Sequence, residues 1–144
     1  WPTISGRVLK YSNGVYSEID TRSLDELKAD KNTEINKARL AANKTSFTFS
    51  GKQIACDDLS RSDIEGVNGI VCLTGALPGS FPGAWKAVDN SYVPIPNRDV
   101  WMSFYGAMVN KGIINFNYAQ SLKTQLTAAT THDQVNAITW GDGP

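Results

Sequence analysis

The stretch SFTFSGKQIACDDLSRSDIEG, Ser46 to Gly66, gathers a cysteine, three aspartates, an arginine and a row of serines. A calcium loop starting at Asp58 would find Ser60 and Ser62 in suitable places. Its sixth position is Asp63 and its twelfth is Gly69, where Gly and Glu are needed, so that chemistry fails. A Ser-His-Asp hydrolase would need His132, the sole histidine, as its base. That residue follows Thr131 in a capping box, where a solvent-facing side chain is expected. No Walker loop, G-x-G-x-x-G or paired-Cys metal motif occurs. Asn43-Lys44-Thr45 is a formal glycosylation sequon and reads as chance. Cys56 and Cys72 are too few for a disulfide scaffold or a metal cluster and read as small buried hydrophobes. A bridge between them requires Cα atoms about 4.4–6.8 Å apart.

The aromatic strand Phe47–Phe49, a turn at Ser50-Gly51-Lys52 and a return through Ile54 and Cys56 read as a hairpin. Ser60 and Asp63 then read as a capping box, with Leu59 and Ile64 as its hydrophobic staple. The aspartates favour a helix N-terminus. The polar cluster is thus a frame, with Arg61 left to pair with Asp57 or Asp58 or to point outward. Its helix carries Ile64, Val67 and Val71 and ends near TGALPGSFPG.

Upstream, RVLKYSNGVYSEI is a hairpin signal, with Asn13-Gly14 suited to a type I′ turn. Ser23 and Glu26 form a capping box for a helix through Asn43 and Lys44, whose apolar stripe of Leu24, Leu27, Ile35 and Ala38 is narrow. That helix is either mostly solvated or packed on other chains along one seam. Downstream, Trp85–Val88 and Tyr92–Ile95 flank Asp89-Asn90-Ser91 as a third hairpin. From Asn97 onward, apolar residues recur at helical spacing, which predicts one helix over about Arg98 to Ala128. Gly106 and Gly112 within it admit either close packing of another segment or a kink near Lys111-Gly112. Thr131 and Gln134 open a short last helix.

Composition sets the outer limits. The chain has 144 residues, enough for one domain with a real core, and is 41% apolar and 19% charged, as a globular chain is. Lys plus Arg and Asp plus Glu are 14 each, which argues against nucleic-acid or membrane-surface binding. No apolar run approaches the ~18–20 residues of a membrane span, and no secretory signal is recognisable. The opening Trp1 in place of Met reads as processing, trimming or numbering from an ordered residue. The expected fold is α+β: a long C-terminal helix and shorter helices packed with short β-hairpins. The segment 1–22 is an N-terminal hairpin for attachment, and 23–144 forms one small domain. The predicted core is Phe47, Phe49, Ile54, Ile64, Val67, Val71, Trp101, Phe104, Met108, Phe116, Leu122, Leu126 and Ile138.

The order of LKADKNTEINKAR, FTFSGKQIACDDLSRSDIEG, WKAVDNSYVPI and LKTQLTAATTHDQVNAITW resembles a domain family of unassigned function found in tailed-bacteriophage tail, tail-fibre and tail-fibre-assembly proteins. The resemblance runs from Leu24 to Trp140. GAMVNKGIINFNYAQ departs from it, because members are usually Ala-rich there. The family has no accepted catalytic residues, so the resemblance implies a non-enzymatic structural component of a virion without cofactor or metal. It implies other phage tail or tail-fibre proteins as partners and synthesis in the bacterial host cytoplasm.

The residues expected to meet such a partner, or a second copy of the chain, are Val8, Tyr11, Val15, Tyr16, Leu24, Leu27 and Ile35. An isolated two-stranded hairpin is marginal in water and needs a surface to cover it. A second reading is a receptor module for host-surface glycan, with Trp85 and Tyr92 as stacking residues; the bland alternative for these aromatics is the core. A third is a tail-fibre assembly chaperone.

Overall fold

The computed structural model describes residues 6–144. The first five residues of the expected 1–22 segment therefore lie outside the described residues. Strands β1 (Arg7–Ser12) and β2 (Val15–Asp20) pair antiparallel around Asn13-Gly14. Both turn residues have positive φ, 52° and 80°, as a type I′ turn demands. Helix α1 (Leu24–Asn43) opens with the expected capping box. Ser23 Oγ accepts from the Glu26 N–H at 3.2 Å, and the Glu26 carboxylate accepts from the Ser23 N–H at 2.7 Å.

Strands β3 (Phe47–Phe49) and β4 (Lys52–Ile54) form the second hairpin. Its turn is the two residues Ser50-Gly51, because Lys52 already pairs with Phe49. The ladder stops at Ile54, and Cys56 lies buried beyond it.

Helix α2 (Asp58–Thr74) begins three residues earlier than the sequence reading placed it. Asp57, not Ser60, is the N-cap: its carboxylate accepts from the N–H groups of Leu59 and Ser60, at 3.1 and 3.0 Å. Ser60 sits inside the first turn and donates its hydroxyl to the same carboxylate at 2.8 Å. A carboxylate outcompetes a hydroxyl for this place, since charge strengthens the bond and suits the helix dipole. The expected Leu59–Ile64 staple goes with the lost register, for Leu59 is 73% exposed. Gly75, at φ 75°, closes the helix by donating to the Val71 carbonyl at 2.9 Å.

Strands β5 (Ala84–Lys86) and β6 (Tyr92–Pro94) are shorter than expected. The Val88 N–H leaves its own hairpin to donate to the Gln53 carbonyl at 2.8 Å, tying the third hairpin to the second. Helix α3 (Arg98–Ala128) is continuous over 31 residues, through Lys111-Gly112. Asn97 caps it by accepting from the Val100 N–H at 3.0 Å. The helix is unbroken at Lys111-Gly112, and a Cβ added at Gly106 or Gly112 would meet nothing within 4 Å, so no described segment of this chain packs closely on either glycine. Helix α4 (His132–Ala137) has half of its expected capping box. Thr131 accepts from the Gln134 N–H, while the Gln134 side chain accepts from Thr130, one residue before the cap.

Two cores lie along α3. The first joins β3, β4, α2 and the third hairpin to Trp101, Phe104 and Met108. Phe47 and Phe49 both meet Phe104 edge-on, with ring centroids 5.3 Å apart, and Phe81 meets Trp101 in the same way. Of these, Phe47, Trp101 and Phe104 are buried, and each supplies about 1.5–3 kcal/mol, while Phe49 and Phe81 are half-buried. The second core joins Leu27 and Ile35 of α1 to Ala119, Leu122 and Leu126 of α3 and to Val135 and Ile138. The narrow stripe of α1 is thus covered by this chain's own helices, rather than solvated. Phe116, expected in the core, is 43% exposed.

Between the two cores is a polar waist. Asn115 is only 3% exposed and donates to the Asn43 side chain at 2.8 Å. One turn earlier, Lys111 donates to the Thr45 hydroxyl and the Ser46 carbonyl. Burial lowers the Lys111 pKa.

Candidate functional site

The polar cluster that opened the sequence reading is occupied by the fold. Asp57 caps α2, and the Ser60 N–H and hydroxyl hold its pKa below the ordinary value. Asp58 pairs with Lys44 at 2.9 Å. Arg61 pairs with neither Asp57 nor Asp58; it reaches Glu65 at 3.9 Å and the Cys56 sulfur at 3.8 Å. Cys72 is exposed, against the expectation of burial, and both thiols are free. His132 is half-buried instead of solvent-facing, with Nε2 2.8 Å from the Arg22 carbonyl oxygen. No cluster of three or more His, Cys, Asp or Glu able to hold a metal occurs among the described residues.

Trp85 and Tyr92 do not form one stacking face. Trp85 lies opposite Val93 and Tyr92 opposite Lys86, so the alternation of the strands sends the two rings to opposite sides of the hairpin. Trp85 is half-buried against Phe81, Trp101 and Phe104. Tyr92 is exposed at a shallow depression that Trp85 also borders, with Ser60, Asp63 and Lys86.

The N-terminal hairpin is the most exposed apolar element. Tyr11 and Tyr16 are cross-strand partners, ring centroids 4.8 Å apart, and each is 61% exposed. Leu9, Val15 and Ile19 are exposed too, and Val8 is half-buried. Apolar residues occur on both faces of the ribbon, since Leu9 and Tyr11 alternate with Val8.

The base of the hairpin is tied to the start of α1. The Thr21 N–H donates to the Gly6 carbonyl at 2.8 Å. Gly6 has φ 78°, and a Cβ there would lie 2.6 Å from Arg22 Cγ, so only glycine fits. The Arg22 guanidinium clasps Asp20 at 2.5 Å and Asp30 of α1 at 2.7 Å. Its hydrogen bonds hold the Asp20 carboxyl well below the usual range. Of the other residues expected at a partner surface, Leu24 is half-buried and Leu27 and Ile35 are 2% exposed in the second core. Sequence reasoning grouped these three with the hairpin because nothing local tells a seam filled by the same chain from one filled by another.

The geometry defines a small α+β domain built on one long helix, with an exposed N-terminal hairpin. Residues 26–139 match the family described as Domain of unknown function (DUF4376), and the chain belongs to that family. The match begins inside α1, so β1 and β2 precede it. No curated protein and no solved structure matches the chain.

Proposed function

We propose that the chain is a non-enzymatic attachment domain of a tailed-bacteriophage virion, in the tail or tail fibre. The two-core body acts as the mount and the β1–β2 hairpin as the element that binds another tail protein. The observation that carries this reading is the hairpin: a two-stranded ribbon, exposed on both faces and apolar at Leu9, Tyr11, Val15, Tyr16 and Ile19. Such a ribbon gains stability when a neighbour covers it, and its free edges suit the addition of a partner strand. The phage assignment is supported by the resemblance of the ordered motifs between Leu24 and Trp140.

Deletion of residues 1–20 tests the proposal. Both cores are built from residues beyond Asp20, so the shortened chain should keep its thermal unfolding transition. It should vanish from purified particles, as counted by mass spectrometry. Normal incorporation of the shortened chain would defeat the attachment role. Absence of the full chain from mature particles would favour an assembly chaperone instead.

A further inference from the structure

Helix α3 carries a second apolar stripe beside the one that builds the cores. Met102, Tyr105, Val109, Ile113 and Phe116 follow one another at intervals of three and four, the spacing of a single helix face. Tyr105 is half-buried and the other four are 40–51% exposed. From Tyr105 to Phe116 the stripe lines a cleft of about 360 Å³ that Arg39 and Asn43 of α1 and Arg61 and Glu65 of α2 also border.

We propose that this face is the interface with a second copy of the chain, α3 lying antiparallel on α3 about a two-fold axis at Val109. The spacing is palindromic around that residue. Met102 and Phe116 stand seven positions to either side, Tyr105 and Ile113 four, and Gly106 and Gly112 three. A two-fold pairing sets each surface against its own reversal. Phe116 then meets Met102, a favourable sulfur–aromatic contact. Ile113 meets Tyr105, and Gly112 meets Gly106, where no Cβ holds the backbones apart. The seven-residue repeat Met102–Val109–Phe116 is that of a coiled-coil seam.

The charges of Arg39 and Glu65 on the rim fit the same partner. Arg39 lies over the Phe116 ring, 4.8 Å from its centroid. Its Nε is buried without an acceptor, and it has no ion pair among the described residues. Glu65, whose own ion pair with Arg61 is long at 3.9 Å, borders the same cleft toward the other end of the stripe, since Asn68, three residues further along α2, bonds the Trp101 indole. Reversal about Val109 brings Glu65 of each copy to Arg39 of the other, twice per dimer.

Sedimentation velocity of the full chain from about 1 to 300 µM tests this. The expected result is a concentration-dependent dimer. Val109→Glu should leave a monomer throughout that range, with an unchanged circular dichroism spectrum. Arg39→Glu and Glu65→Arg should each weaken dimerisation roughly tenfold or more, and the double exchange should restore it. These are rim side chains, so the charge exchange keeps the test decisive even if Val109→Glu fails to fold. A wild-type monomer at 300 µM would overturn the proposal, as would a dimer that survives Val109→Glu or a double exchange no better than either single change. A dimer lost only on deletion of residues 1–20 would assign the pairing to the hairpin and overturn it too. A monomer whose hairpin still binds a tail protein would sink the pairing alone and leave the attachment role standing.

Discussion

The Asn43–Asn115 bond at the waist predicts an asymmetry that the same substitution can expose from both sides. Asn115 is nearly dry and donates to Asn43, which is half-buried at the end of α1. Asn43→Leu fills the space with an apolar group and leaves the Asn115 amide buried without its acceptor. An orphaned buried donor costs about 1–3 kcal/mol. Asn115→Leu places an apolar side chain between two apolar cores, while Asn43 turns to water. Only the net worth of one hydrogen bond is lost, about 0.5–1.5 kcal/mol, and the added apolar burial offsets much of it. Asn43→Leu, at the more exposed position, is therefore the more damaging change. The double variant has no orphan and should recover most of the loss. Urea unfolding followed by circular dichroism is the assay. With a slope of about 2 kcal/mol per molar, a 2 kcal/mol loss moves the midpoint by about 1 M at unchanged slope. A larger loss for Asn115→Leu, or strictly additive losses in the double variant, would refute the reasoning.

Gly66 and Gly69 lie on the exposed side of α2, and a Cβ at either would meet nothing within 4 Å. Alanine at each should stabilise the chain by about 0.5–1 kcal/mol, raising the melting temperature by about 2–5 °C; a fall would mean that the glycines have a task in the helix. Acid should destabilise the fold through Asp89, whose carboxyl is held well below the ordinary 3.8 by Lys52 at 2.8 Å and then by Ser91. A depressed carboxyl stabilises the fold above its unfolded pKa, and that contribution is lost as pH falls through 3.8 toward the lower folded value. Melting temperatures measured from pH 6 to pH 2 should therefore fall below about pH 4, and Asp89→Asn should make the fall shallower; an identical slope in the variant would exclude this pair as a contributor.

What was legible in the sequence is what local chemistry fixes. Asn13-Gly14, the Ser23–Glu26 box, Asn97 and Gly75 each act within a few residues of themselves, and the first hairpin, the start of α1, the end of α2 and the start of α3 follow from them. The start of α2 shows the limit of such reading. DDLSRSD offers capping residues at Asp57 and at Ser60, one turn apart, and pattern alone does not rank them. The structure gives the cap to the carboxylate and leaves Ser60 to bond it in return. Partners distant in sequence left no local trace: Val88 with Gln53, His132 with Arg22, and Lys111 with Ser46.

The misplacement of Phe116 has a cause in the layout of α3. Its inner and outer stripes run one residue apart: Trp101 beside Met102, Phe104 beside Tyr105, Met108 beside Val109, Asn115 beside Phe116. For three of these pairs both members are apolar, so periodicity registers one broad face and cannot tell the buried member from the exposed one. At the fourth pair the inner member is polar. An intensity-based reading then takes Phe116 for the core and passes over Asn115. The structure reverses this, burying Asn115 against Asn43 and leaving Phe116 under the Arg39 guanidinium. A helix with one job shows a single stripe and polar residues beyond it. Two adjacent stripes, the inner one interrupted by a paired asparagine, mean that α3 separates two cores and keeps a second apolar face exposed beside them.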